Sequence, residues 1–403
     1  MNWYDSIAPR QIKKAALTFI LLMGVVSLFS DMVHEGGRSI YGAYLGLAGA
    51  SAATIGFVTG IGELIGYSFR LLTGYVADKS RSYWSLCIIG YVINMLSIPL
   101  IALISEDGWK YACALIILER VGKAIRQPSK NTLVSFAANQ VGEGKTFAIQ
   151  EFLDQIGAFT GPILLFVTML FVKSNHLFTA YRIGFAILII PAFFTLYFLL
   201  KAKRKFPRPE MFETTVDENK KMNFDKTFII YIVAISLFAF GFIDFPIITM
   251  HVAKQSVIPE NYLPLLYALA MLIDAFAALL WGWLYDRYGI KILMFSMFLS
   301  AFFAVFIFAF HSLSFIVVGV ILWGIGMGAQ ESILKSTVAS LVPKKNRSTG
   351  FGVFETSFGV WWFLGSWLLG YLYDVSINWM ILVSVCIQLL AIPLIYMLPN
   401  KKG

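Results

Sequence analysis

Charged residues, cysteine and histidine are all scarce in this sequence. Only 14% of its 403 residues are charged, and it has three cysteines and four histidines. A soluble domain usually has about 25% charged residues, so the composition argues against a soluble globular protein. The three cysteines lie in apolar stretches and are odd in number, which predicts buried thiols. No spacing of Cys and His resembles a metal site, and we predict none.

Motifs for catalysis are missing as well. The sequence contains no glycine-rich phosphate loop and no nucleophile motif, and the Gly122–Lys123 pair lacks the context of such a loop. We therefore expect neither an enzyme nor a bound cofactor. No nucleotide-binding domain is recognisable, which excludes an ATP-driven pump within this chain.

Hydrophobic residues are abundant instead. They make up 58% of the chain, and mean hydropathy is +0.74. Apolar blocks of about 20 residues, enough to cross a hydrocarbon core of about 30 Å, recur along the whole length. The twelve blocks lie near 16–45, 52–74, 84–104, 109–137, 147–173, 180–201, 227–252, 261–284, 290–311, 313–342, 348–374 and 377–398. We predict an all-α polytopic protein that spans a lipid bilayer twelve times.

The basic residues orient these spans through the positive-inside rule. With a cytoplasmic N-terminus, 21 of the 32 Lys and Arg residues fall on the cytoplasmic side and four on the other side. Both termini are therefore predicted to face the cytoplasm, with the protein in the cell membrane. The net charge of +9 then reflects topology and attraction to anionic lipid, not binding to nucleic acid.

A polar interval and an internal repeat divide the chain into two halves. The interval predicts a cytoplasmic linker at 203–226 between six-helix bundles at 1–202 and 227–403. Three segments of the first half, which begin at Gly74, Lys130 and Phe147, return at Gly282, Lys335 and Phe351, at offsets of 208, 205 and 204 residues. Such pseudo-symmetric halves are typical of internally repeated transporters.

The segments at Gly74 and Gly282 resemble the loop signature between the second and third helices of the major facilitator superfamily. The second copy keeps Gly282, Leu284, Asp286, Arg287, Gly289 and Lys291. The first copy departs from the pattern, with Val76 in place of leucine and Arg81 in place of glycine. The resemblance covers the whole chain and implies secondary transport of a small solute by alternating access. It also implies a cytoplasmic gate formed by Gly74, Asp78, Lys79, Arg81, Gly282, Asp286 and Arg287.

Two further segments are similar to motifs of that superfamily. Arg120 with Gly122 resembles the fourth-helix motif, whose arginine is associated with proton transfer. Gly157, Gly161 and Pro162 resemble the fifth-helix motif typical of antiporters, although a glycine pair at this spacing also serves helix packing. The resemblance implies proton-coupled antiport with efflux. The alternatives are a proton-coupled importer of a small metabolite, with an anionic metabolite as one option, and, more distantly, a membrane receptor or scaffold that does not transport. A monomer is expected.

Charged residues within the spans mark the expected site, because an ionised side chain at mid-membrane costs about 2.5–3.5 kcal/mol or more. In the superfamily fold the first, fourth, seventh and tenth helices line the central cavity, and all four carry charge here. The fourth bears Glu119, Lys123, Arg126 and Lys130 at i, i+4, i+7 and i+11, which places them on one face. Asp31, His34, Glu35 and Arg38 share a face of the first helix in the same way.

Two sets of residues are expected to carry transport. Proton coupling is assigned to Asp31, His34, Glu35, Arg120, Glu151 and Asp154. The substrate cavity is assigned to Arg38, Lys123, Arg126, Asp244, Gln330, Glu331, Lys335 and Glu355. Movement of Arg120 or Arg38 relative to an acid would switch that acid between holding and releasing a proton.

Four charged residues carry additional expectations. Lys130 is expected at the cytoplasmic interface, and Glu151, like its repeat partner Glu355, is expected in the interior. For Asp274 on the eighth span a functional role and a packing role are both left open.

Overall fold

Helices make up nearly all of the described chain. The computed structural model describes residues 9–172, 176–212, 226–334, 337–338 and 347–399, and no strand occurs among them. The first six spans are α1 (Pro9–Leu47), α2 (Ala52–Ser80), α3 (Tyr83–Leu100), α4 (Trp109–Val141), α5 (Glu143–Phe171) and α6 (Leu177–Ile187 and Ile189–Lys205). The last six are α7 (Lys226–Gly241 and Phe245–Gln255), α8 (Leu263–Tyr288), α9 (Ile292–Ala301 and Phe303–Phe308), α10 (Leu313–Ala329, then a π-helical turn Gln330–Leu334), α11 (Arg347–Val375) and α12 (Ile377–Tyr396). Each of the twelve predicted blocks therefore contains a helical span.

The break in α7 has a local cause. Asp244 caps the second piece by accepting a hydrogen bond from the backbone nitrogen of Phe245 at 3.0 Å. Pro246 lies in the first turn, where its missing N–H leaves no helical hydrogen bond unmade. Asp244 thus starts a new helix within the span, and its carboxylate lies at the positive end of that helix dipole.

Length and hydropathy allow most of these spans to cross a membrane. Within the described residues, nine helical segments are both long enough and apolar enough. The exceptions are α4, α9 and α11; α4 carries the charged face, and the pieces of α9 are short. Large apolar side chains such as Leu72, Phe276 and Leu279 are more than half exposed, as expected for a surface that faces lipid.

Helix packing within the first six spans and within the last six follows the same scheme. In the first half, α1 packs on α5 and α6, and α4 packs on α2 and α3. In the second half, α7 packs on α11 and α12, and α10 packs on α8 and α9. The contacts between the halves are mainly α2 with α11, α5 with α8, and α1 with the second piece of α7. The repeat relates α2 to α8 and α5 to α11, so the first two contacts are equivalent.

The halves meet backbone to backbone at the end that holds the C-terminus of α1 and the N-terminus of α2. A Cβ atom added to Gly42 would lie 1.6 Å from the Pro246 carbonyl oxygen, and one added to Gly56 would lie 2.1 Å from the Ser366 carbonyl oxygen. At the same end, the Asp374 carboxylate accepts hydrogen bonds from the backbone nitrogens of Ala52 and Ala53, at 3.0 and 2.8 Å. The second half thereby caps α2 of the first half, and we call these contacts the end seal.

Gly56→Ala is expected to open the end seal, because the new methyl group collides with a backbone carbonyl that cannot rotate away. Gly66→Ala on the same helix is the matched control, since a Cβ there meets no atom within 4 Å. Both substitutions gain about 1 kcal/mol of helix propensity, so a difference between them isolates the collision. Spin labels at Leu47→Cys and Tyr262→Cys, in a Cys386→Ser background, report the separation by electron resonance. We expect a longer separation only in Gly56→Ala; the same distribution in both variants would refute the seal.

Candidate substrate cavity

A cavity of about 120 Å³ lies between the two halves. Its lining comes from five helices: His34, Glu35 and Arg38 of α1, Glu63, Tyr67 and Arg70 of α2, Arg120 and Lys123 of α4, Met327, Gln330 and Glu331 of α10, and Phe358 and Trp362 of α11. Three of the four expected helices therefore line the cavity. The fourth, α7, reaches it through Asp244, which binds Arg38. The contribution of α2 was not expected from the sequence. On α11 the expected residue was Glu355, whereas the lining residues are Phe358 and Trp362.

Side chains of α1 join the two halves across this cavity. The Arg38 guanidinium lies 2.7 Å from Asp244 Oδ1, and both residues are buried. One turn earlier, Glu35 Oε2 accepts a hydrogen bond from the Tyr267 hydroxyl of α8 at 2.5 Å. Because Glu35 and Arg38 are three residues apart on a helix, they face the second half together, with 3.9 Å between their charged groups.

The charged face of α4 divides between the cavity and the interior of the first half. Arg120 points into the cavity, where it lies 2.6 Å from Glu63 of α2. Glu119 turns away, 3.0 Å from His34 Nδ1, and accepts a hydrogen bond from the Asn94 amide of α3 at 2.5 Å. Arg120 Nε also lies 3.4 Å from Glu119, so one network joins α1, α2, α3 and α4.

Arg126, expected in the cavity, is held inside the first half in this structure. Its guanidinium donates to the side-chain oxygens of Asn94, Tyr91 and Ser30 at 3.1 to 3.2 Å. It also lies 4.4 Å from the centre of the Tyr91 ring, within range of a cation–π contact. These contacts occupy the charge, so Arg126 holds α1, α3 and α4 together.

Two lysines of α4 differ in their surroundings. Lys123 lines the cavity, and within the described part of the chain no carboxylate oxygen lies within 4.0 Å of it. Lys130 was expected at the membrane interface, but it is 4% exposed and its ammonium group donates to Ser27 of α1. That expectation was wrong because the stripe continues along the contact between α4 and α1.

The titratable residues assigned to proton coupling lie in different places. His34 and Glu35 line the cavity, whereas Asp31 of α1 lies outside its lining, within electrostatic range of Asp154 of α5. Glu151 was expected in the interior but is exposed. It lies one turn before Gln155 on the face of α5 toward the second half, and that half leaves it uncovered.

The acids of α10 and α11 also contact the first half. Glu331 lines the cavity and accepts a hydrogen bond from Gln155 of α5 at 2.8 Å. Glu355 is half-buried, 3.4 Å from Arg70 of α2. Lys335 lies outside the described residues.

Comparisons with known proteins agree with this architecture. Residues 229–403 match the sequence profile of the Major Facilitator Superfamily. An uncharacterized protein of Mycobacterium tuberculosis is 37% identical over 388 residues, which cover 95% of this chain and 93% of the relative. An uncharacterized MFS-type transporter of Methanocaldococcus jannaschii is 25% identical over 378 residues, 89% of each chain. A D-xylose–proton symporter superposes with a TM-score of 0.72 at 15% identity, covering 96% of this chain and 98% of that chain. The chain belongs to the major facilitator superfamily.

Membership makes this chain a membrane-spanning secondary transporter. Its twelve spans form two pseudo-symmetric bundles of six helices, α1–α6 and α7–α12, and the cavity lies between them. The cavity is therefore placed where an alternating-access transporter binds its solute.

The superfamily loop signature makes no latch in this conformation among the described side chains. Asp78 is exposed and accepts a hydrogen bond from Tyr83 at 3.2 Å. Arg287 stacks over two aromatic rings, and Gly74 lies 3.6 Å from Pro128 of α4. The side chain of Asp286 lies outside the described part, and the gate assigned to Gly74, Asp78, Lys79, Arg81, Gly282, Asp286 and Arg287 stays a prediction.

Several residues of the site escaped the sequence reasoning. Glu63 of α2 was assigned neither to proton coupling nor to the cavity, and it is the partner of Arg120. Tyr267 and Gln155 gave no signal, because a single polar residue among apolar ones does not indicate what it faces. Asn94 could have been found, since a carboxamide in the middle of the apolar α3 needs a polar partner in a membrane.

Breaking the Arg38–Asp244 pair is expected to destabilise the protein strongly. Arg38→Met leaves the buried Asp244 carboxylate unpaired, and Asp244→Asn leaves the buried Arg38 with only the more distant Glu35, at 3.9 Å. Removal of one partner of a buried pair costs about 3–5 kcal/mol. The double variant should lose much less than the sum of the two, and Asn preserves the helix cap. The half-exposed pair Arg70 and Glu355 is the control, because exposed pairs contribute about 0–1 kcal/mol. Thermal unfolding in detergent measures both cycles; equal coupling for the two pairs would contradict this prediction.

Proposed function

We propose that this superfamily member is a proton-coupled transporter that imports a small metabolite carrying an anionic group. The observation that carries the proposal is Lys123. Of the lysines and arginines that line the cavity, Arg38, Arg70 and Arg120 each have a carboxylate within 4.0 Å, whereas Lys123 has none in the described chain. An anionic group can bind Lys123 without displacing an internal partner.

The size of the cavity supports a metabolite over a drug-sized solute. Its 120 Å³ is well below the roughly 300–1,000 Å³ typical of pockets for drug-sized ligands. Tyr67, Phe358 and Trp362 supply apolar walls beside the charged groups. A small anion with an apolar portion, or a zwitterion whose cationic group faces Glu331 or Glu35, fits this lining.

The position of Asp31 supports coupling to protons. Among the cations, Lys123 acts most strongly on Asp31. An ionised Asp31 therefore competes with an anionic solute for electrostatic attraction to Lys123. A proton on Asp31 neutralises the carboxylate and removes that competition. Because the proton and the anion favour each other's binding, they cross together, which is cotransport.

Antiport with efflux is the second candidate, favoured by the resemblance of Gly157, Gly161 and Pro162 to the antiporter motif. Both glycines pack against backbone carbonyls of α1, at Leu28 and Met32. This close approach brings Asp154 of α5 beside Asp31 of α1. A cationic solute that competes with the proton for these two acids would be exchanged for it.

Lys123→Gln is expected to abolish solute binding. The assay is thermal stabilisation of purified protein by a panel of carboxylates, phosphate esters, amino acids, sugars and organic cations at two pH values. In the wild type we expect stabilisation by anions that increases at the lower pH. Lys110→Gln is the control, because Lys110 is an exposed lysine of the same helix. Anion binding that survives in Lys123→Gln, or stabilisation only by cations, would overturn the proposal.

Asp31→Asn is expected to uncouple transport from the proton gradient, because the amide mimics the protonated acid. In proteoliposomes with the anion found by the panel, the variant should exchange solute across the membrane but not accumulate it. For the wild type, accumulation in an alkaline lumen indicates cotransport and accumulation in an acidic lumen indicates antiport. Unchanged gradient-driven accumulation by Asp31→Asn would refute the role of Asp31.

A further inference from the structure

Asp274 of α8 is a buried acid that the proposed mechanism does not use. It is 2% exposed, and its Oδ1 atom has no hydrogen-bond partner. Within the described residues, no nitrogen of Lys, Arg or His lies within 4.0 Å of its carboxyl group. An ionised carboxylate in such a place is costly, and a buried group commonly avoids the cost by keeping its proton.

The groups that face Asp274 come from three helices and are acidic or neutral. The ionisable groups that act on it most strongly are Glu331 of α10, Glu151 of α5 and Glu35 of α1. Gln155 of α5 also lies against it. The acidic neighbours on these three helices add to the cost of a charge on Asp274.

The other helices packed against α8 do not change this balance. The pieces of α9 contain no charged residue. The second piece of α7 begins at Asp244, which Arg38 neutralises, and carries His251 and Lys254 near its C-terminal end. No neighbouring element therefore places a cation on Asp274 in the described structure.

Gln155 provides the second observation. Its Nε2 atom donates to Glu331 at 2.8 Å, while its Oε1 atom is buried and has no partner. A carboxylate at Asp274 cannot form a hydrogen bond with Gln155 Oε1, because carboxylate and amide oxygens are both acceptors. A protonated Asp274 can, since its hydroxyl group is a donor.

We propose that Asp274 is a second proton site. The carboxyl group of Asp274, in the second half, carries the proton and donates it in a hydrogen bond to Gln155 of the first half. The contact between α5 and α8 is one of the main contacts between the halves. Loss of the proton leaves two like charges, Asp274 and Glu331, beside one amide and removes the donor to Gln155. The proton on Asp274 thus stabilises the present arrangement of the halves, and its release favours their separation here. This role rests on the proposed proton coupling, whereas the protonation itself can be measured without any solute.

Infrared difference spectroscopy of purified protein tests the protonation, because a protonated carboxyl group has a C=O stretching band that a carboxylate lacks. We expect such a band at neutral pH in the wild type that is absent from Asp274→Asn. Asp374→Asn is the control, since the Asp374 side chain accepts two backbone hydrogen bonds at the end of α2 and its replacement should remove no band. A spectrum of Asp274→Asn that matches the wild type would overturn the proposal.

Gln155→Met supplies a second variant that leaves Asp274 in place. Removal of the amide acceptor should shift the frequency of the Asp274 band without abolishing it, whereas an unshifted band would overturn the pairing with Gln155. Both outcomes are independent of Lys123 and Asp31, so failure here is distinguishable from failure of the proposed anion cotransport.

Discussion

The dominant constraint on this structure is that an ionised side chain inside a membrane needs a partner of opposite charge or a set of hydrogen bonds. The charged residues in the described part of the chain meet this requirement in two ways. Arg120 with Glu63, and Glu119 with His34 and Asn94, are satisfied within the first half and can persist while the halves move. Arg38 with Asp244 and Glu35 with Tyr267 span the two halves, so a change of access must break or replace them. The first group of contacts stabilises the first six-helix bundle. The second group opposes separation of the two bundles.

The two kinds of contact between halves differ in chemistry. The end seal joins backbone to backbone through glycines and a helix cap supplied by the opposite half. Around the cavity the halves meet through side chains, as in Arg70 with Glu355 and Gln155 with Glu331. Side-chain contacts can respond to a proton or a solute because their charge changes, whereas the glycine contacts of the seal respond only through movement of whole helices. The cavity is therefore where a ligand can bias the conformation.

Much of the architecture could be predicted from local pattern. The number of spans, the single charged face of α4 and the charged face of α1 follow from hydropathy and the helical period, and the structure places these faces in the interior. The environments of individual charges were predicted less well. Lys130 and Glu151 both differ from expectation, because burial depends on which helix covers a given side chain. The break before Phe245 has a local signal, because Asp244 followed by Pro246 is a recognisable helix start.

The sequence by itself determined a twelve-span membrane transporter of this superfamily and the helices that would carry charge, since hydropathy, motifs and helical period are local properties. Only the tertiary structure decided which charges neutralise one another. Arg38 and Asp244 are 206 residues apart, and Gln155 and Glu331 are 176 apart. Such pairs depend on the order and rotation of helices in space, which no local pattern encodes. Lys123 stands out as a cation without a carboxylate partner only after the partners of the other cavity cations are known.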